Sequence, residues 1–186
     1  MLTSKREGEG RSVVAFVLIS LVITSFLSTS SSASSDLEYQ GSEPCLSIDK
    51  LSFNSTAANA SITWQTDLGP RLPGSNSSAE LRRSITQNLT QFTFEESSHN
   101  RENFTLTNLV GSFSPDNSTG QNIVFVAHYD SRYMAERDEN ESKRNQPIDG
   151  ANDGASGVAV LIELGKIIPK LELNHDVTLF FTDAED

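Results

Sequence analysis

Acidic residues and one histidine follow the apolar segments of this chain, at the points where buried strands would end. The run 122–127 leads into His128, and the run 177–181 leads into a tail that ends in Glu185 and Asp186. Between the two runs, Asp153 lies in a segment with three glycines. Because ligands of open α/β sheets bind beyond the carboxyl ends of strands, we expect these side chains to share one crevice. Histidine with several carboxylates suits a divalent metal, zinc first.

Each candidate residue also has a plainer interpretation. His128 could be a hydrogen-bonded histidine at a strand end, and Asp130 could either orient it behind a metal or stabilise the loop. Asp153 could be a helix cap, or a ligand near the positive end of the helix dipole. Glu185 and Asp186 could form a solvated acidic turn, or divide the roles of general base and metal ligand between them. Their convergence on one crevice favours the chemical interpretation.

Composition limits the kind of protein this is. The 186 residues leave room for one domain of ordinary size, and the net charge of -11 argues against a nucleic-acid partner. A single cysteine, Cys45, excludes an internal disulfide framework and a cysteine-based zinc site. Since the chain stops at Asp186, at the lip of the predicted crevice, we interpret it as the N-terminal part of a longer protein that supplies further ligands.

Residues 1–35 are interpreted as a leader. Basic residues precede an apolar stretch, 13–27, which is shorter than the roughly 20 residues of a membrane span. This pattern predicts a secretory signal peptide followed by a serine-rich spacer, with a membrane anchor through residues 13–27 as the alternative. We therefore expect an extracellular protein, either secreted or membrane-anchored. Seven Asn-x-Ser/Thr sequons agree with export and begin at Asn54, Asn59, Asn76, Asn88, Asn103, Asn117 and Asn140.

Hydrophobic periodicity predicts two helices in residues 36–186. The first covers 77–92, with Ser77 and Glu80 as a capping box, and its apolar face is formed by residues at steps of four and three. That face consists of Leu81, Ile85, Leu89 and Phe92. The second helix covers 157–168 and stops at Pro169.

Three strands are predicted around these helices. The segment 104–110 alternates apolar and polar residues, whereas 123–127 is continuously apolar and 177–181 is a second, mostly apolar run. Continuous apolarity indicates burial on both faces, so 123–127 is predicted to be a central strand. A charged loop is predicted over 132–146. The order strand, loop, helix, strand implies a crossover unit in an α/β sheet.

These segments resemble the zinc aminopeptidase and glutaminyl cyclase family of peptidase clan MH, over roughly residues 62–186. The segment 150–157 (Gly-Ala-Asn-Asp-Gly-Ala-Ser-Gly) and its apolar continuation carry most of the resemblance. The segments 128–131 and 181–186 stand in the order expected for the family. The resemblance implies a three-layer α/β fold with a mixed central sheet and helices on both faces, incomplete here at its C-terminus.

The resemblance also implies roles for individual residues. Glu185 resembles the catalytic acid/base, and His128 resembles a ligand of one metal in the two-zinc aminopeptidases. Asp153 resembles the ligand that bridges two metals there or binds the single zinc of the cyclases, and its peptide bond to Gly154 is expected to be cis. Asp186 stands where the family usually has a ligating glutamate, so its shorter carboxylate needs a small backbone adjustment.

The segment 69–75 (Gly-Pro-Arg-Leu-Pro-Gly-Ser) resembles a stretch of the glutaminyl cyclases, and its physical role is a rigid proline turn. It favours a glutaminyl-peptide cyclotransferase, which converts an N-terminal glutamine to pyroglutamate with release of ammonia. The alternative is a zinc metallo-aminopeptidase that hydrolyses the first peptide bond, and a further alternative is a non-catalytic metal-binding ectodomain. The resemblance implies one or two zinc ions as cofactor and, for either enzyme, a peptide or protein N-terminus as substrate.

We predict that residues 36–186 expressed alone are unstable or inactive, because the sheet and the site would lack their later residues. Chemical denaturation and zinc analysis of the purified fragment test this. A cooperative unfolding transition together with bound zinc would contradict the prediction.

Overall fold

A computed structural model of the chain describes residues 53–186, so the predicted leader and its apolar stretch 13–27 lie outside the described residues. The described part contains helices α1 (Ser55–Asp67), α2 (Asn76–Asn88) and α3 (Ser156–Ile167). Its strands are β1 (Thr93–Arg101), β2 (Phe104–Phe113), β3 (Asn122–His128) and β4 (Asp176–Thr182). Over residues 53–186, no helix is both long enough and apolar enough to cross a membrane.

The four strands form one mixed sheet in the order β1-β2-β4-β3. Strand β2 is antiparallel to both of its neighbours, whereas β3 and β4 are parallel. The chain passes from β3 to β4 through α3, which is the predicted crossover. The α/β class and the mixed sheet are therefore confirmed, as are the three predicted strands, although β2 continues to Phe113.

The main core lies between the sheet and the helices. Val177, Leu179 and Phe181 point alternately into it from β4 and are almost completely buried. Helix α3 approaches closely through Gly165, where an added Cβ would lie 3.0 Å from the Leu179 side chain and 2.8 Å from that of Leu89. The four apolar residues predicted to form one helical face are all buried, but only Leu81 and Ile85 lie on α2, whereas Leu89 and Phe92 follow its end.

The opposite side of the sheet carries a second set of apolar side chains, called here the open face. It consists of Val110, Val124, Val126 and Phe180, which the strand register places on one side. Val124 and Val126 are 52% and 58% exposed, so nothing in residues 53–186 covers them. Strand β3 was predicted to be central, but it lies at the edge of the described sheet. Its continuous apolarity reflects two apolar faces and says nothing about its place in the strand order.

The N-terminal cap of α2 differs from the prediction. Ser75 is the capping residue, and its hydroxyl oxygen accepts a hydrogen bond of 3.1 Å from the Ser78 amide. Ser77 instead lies inside the helix and donates to the Leu68 carbonyl at 2.7 Å, so the predicted Ser77/Glu80 capping box is wrong. Helix α2 also ends at Asn88, several residues before the predicted end.

Sequence patterns did not predict α1 and β1. Most residues of β1 are polar and exposed, and the strand is held by its antiparallel pairing with β2 along its whole length. Helix α1 buries only Ala58 and Gln65, so it has no continuous apolar stripe. Gln65 nevertheless fixes the helix to the start of α3, because its amide nitrogen donates to the Ala155 carbonyl at 3.0 Å.

Arg71, in the predicted proline turn, is completely buried and contacts two distant segments, 129–131 and 149–150. Its guanidinium group donates to the carbonyl of Tyr129 at 3.1 Å, of Asp149 at 2.6 Å and of Gly150 at 3.0 Å. Its backbone amide donates to the Ser131 hydroxyl at 3.0 Å. We call this set of contacts the Arg71 clamp. It fixes the end of β3 to the loop before α3.

The forked shape of the guanidinium group is what the clamp requires, because several carbonyls approach it from different directions. We therefore predict that Arg71→Lys lowers the free energy of unfolding of the full-length protein by about 2–4 kcal/mol, since an ammonium group leaves some of these buried carbonyls without a donor. Urea denaturation measures the change. Arg83→Lys is the matched control, because Arg83 lies on the exposed side of α2 and pairs only with Glu80. Equal stability of the two variants would contradict the prediction.

Candidate functional site

The predicted site residues converge at the edge of the sheet where β3 and β4 both end. His128 is the last residue of β3 and is paired with Thr182, the last residue of β4. The pairing continues beyond the strands, since the Tyr129 amide donates to the Thr182 carbonyl at 2.9 Å. The residues that follow each strand therefore leave the sheet side by side.

The His128 imidazole is surrounded by carboxylates. Its Nε2 atom lies 3.2 Å from Oδ1 of Asp153, and its Nδ1 atom lies 3.5 Å from Oδ1 of Asp130 and 3.8 Å from Oε2 of Glu185. Nδ1 is buried and makes no hydrogen bond within the described residues. The structure thus brings together an imidazole nitrogen and carboxylates from three separate segments.

Asp130 is completely buried and fixes the catalytic candidates through their backbone. Its Oδ1 atom accepts a hydrogen bond of 3.2 Å from the Glu185 amide, and its Oδ2 atom accepts one of 3.1 Å from the Asp186 amide. The distance to Nδ1 of His128 is longer than either of these bonds. Asp130 therefore contacts both the imidazole and the 185–186 backbone, and it couples the ends of the two parallel strands.

Asp153 projects from an irregular turn that precedes α3. Two glycines make this turn feasible: Gly150 and Gly154 have φ angles of 58° and 88°. An added Cβ at Gly154 would lie 2.7 Å from the Asp130 carbonyl oxygen, so a side chain there would push the turn away from β3. The cis peptide expected between Asp153 and Gly154 is wrong, because the described residues contain only trans peptides. The turn is instead formed with a trans peptide and a positive φ angle at Gly154.

Glu185 follows a tight turn at the end of β4. Ala184 has a φ angle of 59°, which costs a residue with a side chain roughly 1–2 kcal/mol. The preceding Asp183 offsets this cost, since its Oδ1 atom accepts from the Ala184 amide at 3.0 Å and its Oδ2 atom accepts from the Thr107 amide at 2.8 Å. The turn directs Glu185 outward, where its side chain is 61% exposed and open to a substrate.

Asp183 and Arg71 are two positioning residues to which the sequence analysis gave no part in the site. Asp183 carries a readable signal, because it continues the inward alternation of β4 that begins with Val177, Leu179 and Phe181. An aspartate at such a position is buried, and it needs hydrogen-bond donors. Arg71 carries no comparable signal, since nothing in a proline turn indicates which distant carbonyls its side chain will meet.

Burial and crowding of negative charge change the acidity of these carboxyl groups. The pKa of Asp183 is raised chiefly by burial, against the lowering effect of the Thr107 amide. The pKa of Asp186 is also raised, by burial first and then by the negative charges of Asp153 and Asp130. His128 acts in the opposite direction on Asp186. The site therefore gathers more negative charge than its own side chains neutralise.

A buried polar chain supports the site from beneath. The Tyr129 hydroxyl donates to the Thr107 carbonyl at 2.6 Å and accepts from Nη1 of Arg82 at 2.9 Å. Arg82 is in turn paired with Glu96 of β1 at 2.9 Å. Burial, followed by the charge of Asp183, raises the pKa of Tyr129 well above its usual range, so this hydroxyl stays protonated. It is a structural donor rather than a catalytic acid.

The geometry is compatible with a metal ion. Among the described residues, His128, Asp130 and Asp186 offer one ligand atom each within 4.8 Å of one another. Asp153, which was predicted as a ligand where Asp130 was not, lies outside this group, and its Oδ1 atom instead lies 3.2 Å from Nε2 on the other side of the imidazole. An imidazole with several carboxylates is a donor set that hard and borderline divalent cations bind.

The sequence matches the profile of Peptidase family M28 over residues 108–186. This range contains all the predicted site residues: His128, Asp130, Asp153, Glu185 and Asp186. Among proteins with curated functions, none matches the chain.

Three solved structures illustrate the likeness in fold. A Zn-dependent exopeptidase from Parabacteroides distasonis is 29% identical with a TM-score of 0.66, over 73% of this chain and 48% of that one. A leucine aminopeptidase precursor from Bacteroides thetaiotaomicron is 28% identical with a TM-score of 0.66, over 73% and 49%. A glutaminyl cyclase from Tannerella forsythia is 31% identical with a TM-score of 0.64, over 73% and 48%.

The chain spans about half the length of each of these structures. Within that half, the family match, the mixed sheet and the clustered site residues agree with one another. Residues 108–186 therefore match Peptidase family M28, and the described fold is similar to those of a Zn-dependent exopeptidase and a glutaminyl cyclase.

Proposed function

We propose that this protein is a zinc-dependent enzyme acting on peptide N-termini, and specifically a glutaminyl-peptide cyclotransferase. The observation that carries the proposal is that Asp153 and Glu185 both lie close to the imidazole of His128, where two parallel strands end. The cyclase branch draws its support from the segment 69–75, whose Arg71 contacts the loops of both His128 and Asp153. The likeness to the Tannerella forsythia glutaminyl cyclase is compatible with this branch, and the likeness to the leucine aminopeptidase precursor is equally compatible with the alternative.

Zinc fits the side chains that are present. The carboxylates near His128 form no ion pair with a lysine or arginine within the described residues. Nδ1 of His128 is buried and has no hydrogen-bond partner there. His128, Asp153 and Asp186 would hold the ion, with Asp130 behind them. When bound, zinc would act as a Lewis acid that polarises a substrate carbonyl.

The residues of the chain account for the proton transfers of the cyclisation. Glu185 would accept a proton from the substrate α-amine, whose nitrogen then attacks the carbon of the side-chain amide. Glu185 would return that proton to the amide nitrogen as the carbon–nitrogen bond breaks, so that ammonia leaves and pyroglutamate remains. Asp130 would hold the Glu185 backbone in place throughout, through the 3.2 Å bond to its amide.

The alternative is an aminopeptidase, and one observation favours it. Nε2 of His128 lies 3.2 Å from Asp153, and in the two-zinc aminopeptidases Asp153 resembles the ligand that bridges the two metals while His128 resembles a ligand of one of them. In that case two zinc ions would be held, and Glu185 would deprotonate the water that attacks the first peptide bond. A non-catalytic metal-binding ectodomain is the remaining alternative.

We predict that the full-length, zinc-loaded protein releases ammonia from a peptide beginning with glutamine and converts it to the pyroglutamyl form. Glu185→Gln should reduce this rate by at least 10²-fold, because the variant cannot carry the proton. Mass spectrometry of the products is the measurement. Glu172→Gln is a suitable control, since Glu172 is an exposed residue outside the site.

A peptide beginning with leucine, assayed in parallel, separates the alternatives. Release of free leucine without cyclisation would establish the aminopeptidase and imply two metals. Absence of both products from a protein that still binds zinc would leave the non-catalytic ectodomain.

Asp130→Asn tests the metal site without using the reaction. We predict that it lowers the zinc affinity about 10–100-fold, because residues behind the ligands orient them and raise their basicity. Competition with a chromophoric chelator measures the affinity. Asp149→Asn is the matched control, since Asp149 lies in the loop before Asp153 and contributes its backbone carbonyl rather than its carboxylate to the Arg71 clamp. Unchanged zinc affinity in Asp130→Asn would show that Asp130 has no part in metal binding.

A further inference from the structure

Sequons are more frequent in this chain than its composition predicts. Seven of its thirteen asparagines begin an Asn-x-Ser/Thr motif. Serine and threonine together occupy 41 of the 186 positions, so thirteen asparagines would begin about three such motifs by chance. The excess raises the question of whether the folded structure can accept carbohydrate at these positions.

All seven sequon asparagines are exposed. Asn54 and Asn140 are hydrogen-bonded through Oδ1 alone, which accepts from the Ala57 amide at 2.9 Å and from the Ser142 amide at 3.0 Å. Nδ2 forms a hydrogen bond only at Asn88, where it donates to the Ser84 carbonyl at 2.9 Å. A glycan on Nδ2 would keep Oδ1 as an acceptor, so these helix caps are compatible with modification.

Three further asparagines that lie in strands or in the site turn are not sequons. Oδ1 of Asn108 accepts from the Asp183 amide at 2.9 Å, and Nδ2 of Asn122 donates to Thr178 at 3.0 Å. Asn152 lies in the site turn beside Asp153. None of these three is followed by serine or threonine at the required position. Of the seven sequon asparagines, six thus make no hydrogen bond through Nδ2 within the described residues, and Asn88 is the exception.

The positions of the sequons are also uneven in space. They lie in α1 and α2, at helix ends and in turns, and none lies within strands β1 to β4. Asn103 occupies the turn between β1 and β2, Asn117 the loop before β3, and Asn140 the charged loop after β3. Carbohydrate at these places would leave the hydrogen-bonded ladders of the four strands intact.

We propose that this protein is an N-linked glycoprotein, modified at least at Asn103, Asn117 and Asn140, and that it therefore enters a secretory route. A transferase of that route would use a polyprenyl-diphosphate-linked oligosaccharide as donor. Nδ2 of the asparagine attacks C1 of the first sugar and loses one proton, the N–C1 bond forms, and the bond from C1 to the diphosphate oxygen breaks. The polyprenyl diphosphate leaves, and one amide hydrogen remains on Nδ2.

The experiment is to purify the full-length protein from its source cells and treat it with peptide N-glycosidase in heavy-oxygen water. This enzyme converts each glycosylated asparagine to an aspartate that carries the heavy isotope, which peptide mass spectrometry locates. We expect label at Asn103, Asn117 and Asn140, and a fall in apparent mass on gel electrophoresis. Asn145 and Asn174, which are exposed but begin no sequon, are internal controls and should stay unlabelled.

Variants assign each glycan. Asn103→Gln, Asn117→Gln and Asn140→Gln should each lower the apparent mass of the untreated protein by one glycan, whereas Asn145→Gln should leave it unchanged. These readouts do not depend on folding stability or on enzymatic activity. Absence of label at all three positions would overturn the proposal, as would equal labelling in a sample that had not been treated with the glycosidase.

Discussion

The buried guanidinium group of Arg71 is the interaction on which the rest of the site depends. A charge in the interior is tolerated only when hydrogen bonds replace its hydration, and here three backbone carbonyls from two segments do so. Burial lowers the pKa of Arg71, while Asp149 and Asp130 oppose that effect, and the group stays cationic. Because Tyr129 adjoins His128 and Gly150 begins the turn that carries Asp153, one side chain sets the spacing of two predicted ligands.

A second constraint is the crowding of like charges. Asp130, Asp153 and Glu185 all approach one imidazole, and Asp186 lies beside them. Backbone amides hold Asp130, and the Arg71 clamp holds the Asp153 turn, so the acidic cluster is assembled by the fold rather than by mutual attraction. A rigid frame that keeps acidic groups together despite their repulsion is prepared for a cation.

The sequence was sufficient to predict most of what lies near the site. The strands before His128 and Asp183 and the helix after Asp153 were evident, because apolar runs report burial directly. Helix α1 and strand β1 were missed because their stability comes from pairing and from single contacts such as that of Gln65. The predicted capping box was wrong because Ser75 and Ser77 are both suitable N-cap residues for α2, and their local spacing does not show which one caps the helix. The edge position of β3 and the contacts of Arg71 with distant carbonyls depend on tertiary structure, so they could not be predicted from local sequence patterns.

The edge position of β3 has a consequence for the behaviour of the protein in solution. On the side away from β4, this strand presents backbone donors and acceptors that no strand within residues 53–186 satisfies. Val124 and Val126 lie beside them on the surface. An extended, apolar strand of this kind is a template for addition of another chain. Handled as residues 53–186 alone, the protein would therefore self-associate in a concentration-dependent manner through β3, and a charge placed at Val124 or Val126 would act as a gatekeeper against it.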